Sequence, residues 1–254
     1  MTIEVNTLGG INRKSDKVAI VGFAPSWKEA PWDAPPEECE IWMLNEMYKL
    51  KDEVKNFHAD KWFEIHDRNS PSKATPEHQH FLKNCPCPVF MWQKYDDIPN
   101  SIELPIYDII KHFEDKGYNG ARYITNSVSI MIMYAIYQGF KEISVYGVDL
   151  STDAEWSWQK PSCEYWLGVC NGLGIKLYIP QSSELLKCGQ IYGFESNNKI
   201  TAWIKSQVSE FTKRSQRFAQ QQMQAQQAAH QAEIAQAEIR GAKSAYQEIL
   251  KRRQ

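Results

Sequence analysis

Two short segments place small and hydroxyl-bearing residues directly beside apolar runs. Gly22-Phe23-Ala24-Pro25-Ser26 follows the β-branched run 17–21, and Thr125-Asn126-Ser127 precedes the apolar run 128–137. Glycine lets the backbone turn and approach a ligand closely, and hydroxyls with unpaired amides at a helix start bind phosphate. Neither segment is a GxGxxG or GxxxxGK[ST] motif, so a plain strand–turn–helix and an ordinary helix cap are competing interpretations. The predicted nucleotide contacts in these segments are Gly22, Pro25, Ser26, Thr125, Asn126 and Ser127.

Single polar or small residues follow three further predicted strands. Asn45 and His66 each end one strand, and Gly147 and Asp149 follow another. In open parallel sheets, ligands bind outside the carboxyl ends of the strands. We therefore predict that Asn45 and Gly147 contact a nucleotide, and we treat His66 and Asp149 as candidate catalytic residues. A carboxylate at position 149 could instead bind a ribose hydroxyl or a metal, or cap the next segment.

The segment 153–166 combines acids, a lysine, aromatic rings and hydroxyl groups. Such a composition is typical of a substrate lid, in which rings stack on a sugar or base and acids take protons. We predict that Lys160 contacts phosphate and that Glu155 and Glu164 are candidate catalytic groups. A solvated acidic loop without function is the competing interpretation.

One cluster has residue types that bind zinc. His78-x-His80 and Cys85-x-Cys87 lie within ten residues, and imidazole and thiolate are zinc ligands. The spacing is not that of a usual zinc finger, and the prolines after both cysteines restrict the backbone. We predict no metal site, although zinc binding by these four residues stays open. The chain also has no G-x-S-x-G motif of a nucleophilic serine.

Strand-like and helix-like segments alternate along most of the chain. This alternation indicates an α/β, Rossmann-like fold with a mostly parallel, doubly wound sheet and a long C-terminal helix. The predicted strands are 18–21, 40–44, 62–65, 89–92, 122–124, 143–146 and 175–179, and the predicted helices 106–113, 126–137 and 163–173. Residues 67–80 are predicted to form a loop. The predicted divisions are a flexible leader (1–16), a nucleotide-binding domain (17–200) and the C-terminal helix (201–254).

The C-terminal segment has a heptad pattern. Residues 203–253 contain no proline and one glycine and are rich in glutamine, alanine, glutamate and lysine, which favours one long helix. Apolar and small residues recur every seven positions, as in a coiled coil, at Phe211, Phe218, Ala225, Ala232, Ile239 and Tyr246. We predict that this helix forms a homo-oligomer, and a lone, partly frayed helix is the alternative.

Charge and cysteine content narrow the class of protein. Residues 205–254 carry a formal charge of +5 and residues 1–204 a charge of −7, which is not the distribution of an autonomous DNA-binding domain. Six cysteines without a secretory leader indicate a reduced, cytoplasmic location. No apolar run is long enough to span a bilayer, so we expect no membrane partner.

At the level of motifs, the chain resembles two related families over roughly residues 17–180. The motifs are Val-Gly-x-x-Pro-Ser at 21–26, a strand ending in Asn45, Thr-x-Ser-Val at 125–128 and Ile-x-x-Tyr-Gly-Val-Asp-Leu at 143–150. They resemble MptE-like proteins and the bacterial sialyltransferases that use CMP-activated sugars. The whole arrangement also resembles uncharacterised proteins encoded by tailed bacteriophages, for which the location would be the host cytoplasm.

The resemblance to sialyltransferases implies roles for particular residues. In that family the glycine/proline-serine loop, the strand-terminal asparagine and the threonine/serine segment surround the nucleotide, which agrees with the contacts predicted above. Tyrosines of a later lid hold the leaving phosphate there, and Tyr165, beside Trp156 and Trp158, is the nearest candidate. The family uses a late histidine as base, but this chain has no histidine between residues 113 and 229. The candidates for the base are therefore Asp149, Asp153, Glu155, Glu164 and His66.

Three functions follow as hypotheses. The first is a glycosyltransferase-like enzyme with a nucleotide sugar as co-substrate and an acceptor hydroxyl, which in a phage could belong to a hydroxymethylated DNA base. The second, implied by the MptE-like resemblance, is a diphosphotransferase that uses ATP and requires Mg²⁺ and several carboxylates. The third is a nucleotide-binding protein without turnover that sequesters a host nucleotide.

Overall fold

Seven parallel strands form one sheet in the computed structural model, which describes residues 13–151, 155–188, 191–192 and 199–252. The strands are β1 (Lys17–Val21), β2 (Glu40–Leu44), β3 (Lys61–Phe63), β4 (Val89–Met91), β5 (Ser101–Glu103), β6 (Glu142–Tyr146) and β7 (Lys176–Tyr178). Their order in the sheet is β5-β4-β3-β2-β1-β6-β7, and every neighbouring pair is parallel. The predicted α/β Rossmann-like fold is confirmed, with an all-parallel sheet.

The strand order reverses direction between β1 and β6. The chain moves outward from β1 to β5 and then returns to place β6 on the other side of β1. In register, Val21 at the end of β1 pairs with Tyr146 at the end of β6. The loops that leave these two strands run to opposite sides, which opens a crevice at the carboxyl edge of a doubly wound sheet.

Besides the strands, the described residues form five α-helices and two short 3₁₀ helices. They are α1 (Pro76–Asn84), α2 (Ile106–Asp115), α3 (Ser127–Tyr137), α4 (Lys160–Gly172) and α5 (Lys199–Arg252), with short 3₁₀ helices at Pro25–Glu29 and Met47–Glu53. Two of them begin at side-chain caps, because Thr75 accepts a hydrogen bond from the His78 amide and Asn126 accepts one from the Ser129 amide.

Alternate residues of the strands pack into separate cores on the two faces. Val18 and Ile20 of β1 lie in the core beneath α2, α3 and α4, whereas Ala19 and Val21 lie in the core beneath the 3₁₀ helices and α1. Both cores are rich in buried aromatic rings, including Trp42 in the first. Because both faces are covered, the central strands carry buried apolar residues on both sides, as is typical of parallel sheets.

The structure corrects three of the predicted elements. Residues 122–124 do not form a strand, and β5 at Ser101–Glu103 fills the seventh place in the sheet instead. Helix α1 begins inside the predicted loop 67–80, because Thr75 caps a helix that has Pro76 at its first position. Helix α4 begins at Lys160 rather than at residue 163, with consequences for the predicted lid.

The chain divides into two compact units, Met1–Gly189 and Gln190–Gln254. The second contains α5, in which residues 204–252 are exposed apart from Gln207, which is half-buried. Within the described part of the chain, no helix is both long and apolar enough to cross a membrane.

Candidate active site

A cleft with a volume of about 860 Å³ opens at the carboxyl edge of the sheet, over the crevice between β1 and β6. Ten of the fourteen predicted site residues line it. They are Gly22, Pro25, Asn45, His66, Thr125, Asn126, Ser127, Gly147, Asp149 and Glu155. The sequence segments that were predicted to meet therefore do meet, at the place where such sheets bind ligands.

The loops after β1 and β6 pass each other without room for side chains. A Cβ atom on Gly22 would lie 2.5 Å from the Gly147 carbonyl oxygen, and one on Gly147 would collide with the Gly22 carbonyl. Gly147 also has a φ of 63°, a left-handed conformation that favours glycine. The close approach is fixed by a 2.8 Å hydrogen bond from the Ala24 amide to the Gly147 carbonyl.

Ser26 ties these two loops together instead of lining the cleft. Its side chain is buried, and its hydroxyl oxygen accepts a 2.8 Å hydrogen bond from the Gly147 amide. The placement of Ser26 at the ligand surface is therefore corrected. The residue positions the floor of the cleft by satisfying a buried amide that would otherwise lack a partner.

The start of α3 forms one wall of the cleft. Asn126 is the cap of this helix, as the competing interpretation held, and its side-chain amide also donates a 3.0 Å hydrogen bond to the Gln159 carbonyl. The Thr125 hydroxyl donates a 2.9 Å bond to the Trp158 carbonyl. Ser127 also faces the cleft, and its hydroxyl makes no hydrogen bond to another described residue. The first amides of a helix are unpaired within it, so this wall presents donors and the positive end of a helix dipole.

A π-helical turn at Glu155–Gln159 forms the adjoining wall. The hydrogen bonds from Thr125 and Asn126 hold this turn against the start of α3. Glu155 and Trp158 line the cleft, and 70% of the Trp158 residue is exposed. An exposed indole at a cleft wall offers a flat apolar surface to a sugar or a base. Asp153, a candidate base, lies outside the described residues.

Two side-chain oxygens of residues that line the cleft are buried and have no hydrogen-bond partner among the described residues. They are Oδ1 of Asn45 and Oδ1 of Asp149. Buried polar atoms are almost always paired, and an unpaired one costs about 1–3 kcal/mol. The backbone around them is unusual as well, because Asn45 and Leu150 have φ values of 52° and 49°. Left-handed backbone in residues other than glycine clusters at binding sites.

Asp149 has a perturbed acidity. Burial raises the pKa of its carboxyl group above 3.8, and the negative charge of Glu184 adds to the effect. Lys187 and a hydrogen bond involving Ser183 act in the opposite direction. The Asp149 carboxylate is therefore less stable in the empty cleft than in water, and hydrogen-bond donors from a ligand would stabilise it.

His66 reaches the cleft from the end of β3 and is held from behind by a buried carboxylate. Its Nδ1 lies 2.8 Å from Oε1 of Glu64, whose side chain is fully buried. The other Glu64 oxygen lies 2.9 Å from Nε2 of His78 and 3.8 Å from Nζ of Lys73. Burial alone would raise the pKa of Glu64, but the hydrogen bonds from the two histidines and the charge of Lys73 lower it to about 2.

Three predicted lid residues lie outside the cleft walls. Lys160 is buried in α4, 3.8 Å from Glu164, and Glu164 accepts a 2.8 Å hydrogen bond from the Leu186 amide. The Tyr165 ring packs edge-on against Tyr123 and fills the space that a side chain at position 120 would need. None of these three residues lines the cleft; Lys160 lies in α4 rather than in the predicted loop before it, and Glu164 and Tyr165 contact neighbouring protein groups.

Sequence reasoning missed Glu64, although the Glu64-Ile65-His66 spacing places its first and third members on the same side of an extended segment. The sequence left open a zinc site formed by His78, His80, Cys85 and Cys87, but these residues have different surroundings in the structure. His78 is bound to Glu64, His80 is exposed, and the two thiols lie 3.6 Å from each other. No group of three or more His, Cys, Asp or Glu residues in the described ranges is arranged to hold a metal ion.

No family model matches the chain, and no curated protein matches it significantly. Among solved structures, the sialyltransferase CstII from Campylobacter jejuni in complex with the substrate analogue CMP-3FNeuAc is 20% identical with a TM-score of 0.44, over 64% of this chain and 79% of that chain. An alpha-2,3-sialyltransferase from Campylobacter jejuni in apo form is 16% identical with a TM-score of 0.43, over 83% and 99% of the two chains. Identities and TM-scores this low do not transfer an activity, so function has to be argued from the cleft.

Proposed function

We propose that the protein is a glycosyltransferase-like enzyme that binds a nucleotide sugar in the cleft and transfers the sugar to an acceptor hydroxyl. One observation carries the proposal. At the β1/β6 switch point, the start of α3 presents hydrogen-bond donors while Oδ1 of Asn45 and of Asp149 are buried acceptors without a described partner. A ligand that is an anion at one end and rich in hydroxyls or amines at the other satisfies both sets.

A nucleotide has this combination of groups. Its phosphate would accept hydrogen bonds from the amides and the Ser127 hydroxyl at the start of α3, where the helix dipole favours negative charge. Its ribose hydroxyls or base amines would donate to Asp149 and Asn45. The missing side chains at Gly22 and Gly147 let the two loops approach each other and so shape the floor beneath such a ligand.

The reaction requires a leaving phosphate and a base. The acceptor oxygen attacks the anomeric carbon, the bond from that carbon to the phosphate oxygen breaks, and the acceptor proton passes to a protein base. Preorganised donors at the start of α3 would stabilise the negative charge on the departing nucleotide. The described cleft residues that could take the proton are Asp149, Glu155 and His66.

Incubation with CMP- and UDP-sugars and hydroxyl acceptors tests the proposal. CMP-sugars come first, because the sequence motifs resemble those of enzymes that use them. We expect acceptor-dependent release of the free nucleotide by the wild-type chain and much less by Asp149→Asn. Tight nucleotide binding without any product would instead support the sequestering protein, and Mg²⁺-dependent release of AMP from ATP would support the diphosphotransferase.

The acceptor hydroxyl is a separate part of the proposal. The basic C-terminal segment, with its charge of +5, is compatible with a polyanionic acceptor such as DNA that carries a hydroxymethylated base. Duplex DNA with 5-hydroxymethylcytosine should then act as acceptor, and transfer should weaken as salt rises. Equal transfer to a small sugar acceptor at every salt concentration would contradict a DNA acceptor and leave the transferase itself in place.

A further inference from the structure

Glu64 and His66 form a carboxylate–imidazole pair at the end of β3. Glu64 is fully buried, whereas 48% of the His66 side chain is exposed and lines the cleft. The short 2.8 Å contact joins Oε1 of Glu64 to Nδ1 of His66, and the same oxygen lies 3.2 Å from the His66 amide. Two contacts to one carboxylate oxygen fix both the backbone and the ring of His66.

This geometry determines which ring nitrogen faces the cleft as an acceptor. With a pKa of about 2, the Glu64 carboxylate is ionised at neutral pH and can only accept hydrogen bonds. Nδ1 of His66 must therefore carry a hydrogen, and in the neutral ring Nε2 is then a lone-pair acceptor. Nε2 makes no hydrogen bond to any described residue, so it is free to accept a proton from a bound molecule.

A buried network on the far side of Glu64 keeps this carboxylate ionised and in place. His78 is completely buried and donates from Nε2, while Lys73 lies 3.8 Å from the same Glu64 oxygen and 3.1 Å from Glu46. Burying a carboxylate is costly unless it is paired and hydrogen-bonded. His66 contacts Glu64, Glu64 in turn contacts His78 of α1 and Lys73, and Lys73 contacts Glu46 at the end of β2.

The Glu64–His66 pair lies at some distance from the end of the cleft where the nucleotide is predicted to bind. Asp149 follows β6, whereas His66 follows β3, three strands away at about 4.8 Å per strand. A nucleotide bound against Asp149 and Asn45 would leave the end of the cleft at β3 for the reacting sugar and the acceptor. Glu155, the third candidate, has no comparable positioning partner among the described residues.

We propose that Nε2 of His66 is the general base of the transfer and that Glu64 is the positioning residue that sets its tautomer and stabilises the imidazolium. The proposal rests on the proposed function. As the acceptor oxygen bonds to the anomeric carbon and the nucleotide phosphate leaves, the hydroxyl proton moves to Nε2. The negative charge of Glu64 then faces the imidazolium, as a buried carboxylate does in serine-protease triads.

Steady-state kinetics of His66→Gln and Glu64→Gln test the proposal, with the exposed His80→Gln as control. His66→Gln should lower kcat by about 10²- to 10⁴-fold with little change in the KM for the nucleotide sugar. Glu64→Gln should lower kcat less, again with little change in the KM for the nucleotide sugar, because a glutamine amide at this position no longer restricts the His66 hydrogen to Nδ1. Wild-type kcat in either variant would overturn the proposal.

A measurement that does not depend on turnover separates this proposal from the proposed function. The ¹⁵N shifts of the His66 ring in the full-length protein report its tautomer, and we expect hydrogen on Nδ1 in the wild type and a mixture in Glu64→Gln. Hydrogen on Nε2 in the wild type would overturn the base assignment whatever the activity. Failure of the proposed function has a different signature: the wild type would release no nucleotide with any donor and acceptor.

Discussion

The Asp149 side chain carries a cost to the folded protein that a bound ligand would offset. Its Oδ1 is buried without a described partner, and burial raises the pKa of its carboxyl group. A folded protein tolerates such an atom where a ligand supplies the missing donor. Asn45, at the end of the neighbouring strand β2, also has a buried Oδ1 without a described partner, and its backbone is left-handed.

Replacing Asp149 with Asn should therefore separate binding from stability. Loss of the charged acceptor should weaken nucleotide binding by about 10- to 100-fold, which corresponds to a hydrogen bond of about 1.5–3 kcal/mol to a charged group. The empty protein should unfold at the same or a higher temperature. Titration calorimetry and thermal unfolding measure both, with the exposed Asp115→Asn as control, and a less stable apo variant with unchanged affinity would contradict this role.

The pH dependence of stability follows from the same residue. Because its pKa is raised in the folded state, Asp149 binds a proton where the unfolded chain has already lost it. The contribution of Asp149 to the free energy of unfolding is therefore fully present below its unfolded-state pKa of about 3.8. It is lost as the pH rises through the higher pKa of the folded state. Denaturant unfolding should show Asp149→Asn gaining stability relative to the wild type as pH rises, and a constant difference would contradict the raised pKa.

Ser26 should behave as a structural residue. Ser26→Ala removes the acceptor of the buried Gly147 amide and should cost about 1–3 kcal/mol in the free energy of unfolding. Nucleotide affinity should change little at temperatures where the variant is folded. Ser72→Ala, at an exposed hydroxyl, is the control. A stable Ser26→Ala variant with lost binding would restore the direct contact that the sequence predicted.

At the scale of elements, the close passage of two loops shapes the cleft. Gly147→Ala combines a positive φ with a collision against the Gly22 carbonyl, so one of the loops must move. We expect a clear loss of stability and of nucleotide binding. Gly168→Ala lies in α4 with open space around it, and there alanine should stabilise the protein by about 0.5–1 kcal/mol. Thermal unfolding of the two variants should move in opposite directions, and similar shifts would contradict the account.

The alternation of apolar segments with helices predicted most of the sheet and the edge where its polar residues meet. The same alternation gave wrong predictions for one strand, for the short strand β5 and for the start of α4. Residues 122–124 look like a strand but lie in turns, and the short β5 has only one large apolar residue, Ile102. Lys160 was predicted to lie in a loop, but α4 starts three residues earlier than predicted, so that Lys160 and Glu164 lie one turn apart on a helix.

The sequence predicted which segments line the candidate site, but not the hydrogen bonds between them. Strand ends and helix starts could be placed, and they brought Asn45, Asp149 and Ser127 together. Which hydroxyl faces a ligand and which bonds a neighbouring loop depends on contacts between distant segments, as Ser26 shows. The pairing of Glu64 with His66 was readable from their spacing, but only the burial of Glu64 distinguishes it from a surface carboxylate.

The whole molecule includes a second compact unit, which contains the long helix α5 and its heptad pattern. Its heptad residues are exposed, among them Phe211, Phe218, Ile239 and Tyr246. An isolated helix gains little stability without packing, so these side chains favour self-association, as the heptad pattern predicts. This oligomer stays a prediction.

Sedimentation of the full-length chain tests it. Phe211→Glu combined with Phe218→Glu should reduce the molecular mass in solution toward that of one chain, because charges would lie in the apolar seam. Gln216→Glu, outside the seam, should leave the mass unchanged. A wild-type chain that sediments as a monomer at all concentrations would contradict the predicted oligomer.

The cleft at the β1/β6 switch point is proposed to be a nucleotide site. A crystal structure of the protein grown with saturating CMP tests it most directly. We predict the phosphate on the amides and hydroxyl at the start of α3, beside Ser127, and a donor of the nucleoside within hydrogen-bond distance of Asp149. CMP bound elsewhere on the protein, or a cleft that contains only solvent at saturating CMP, would contradict the account.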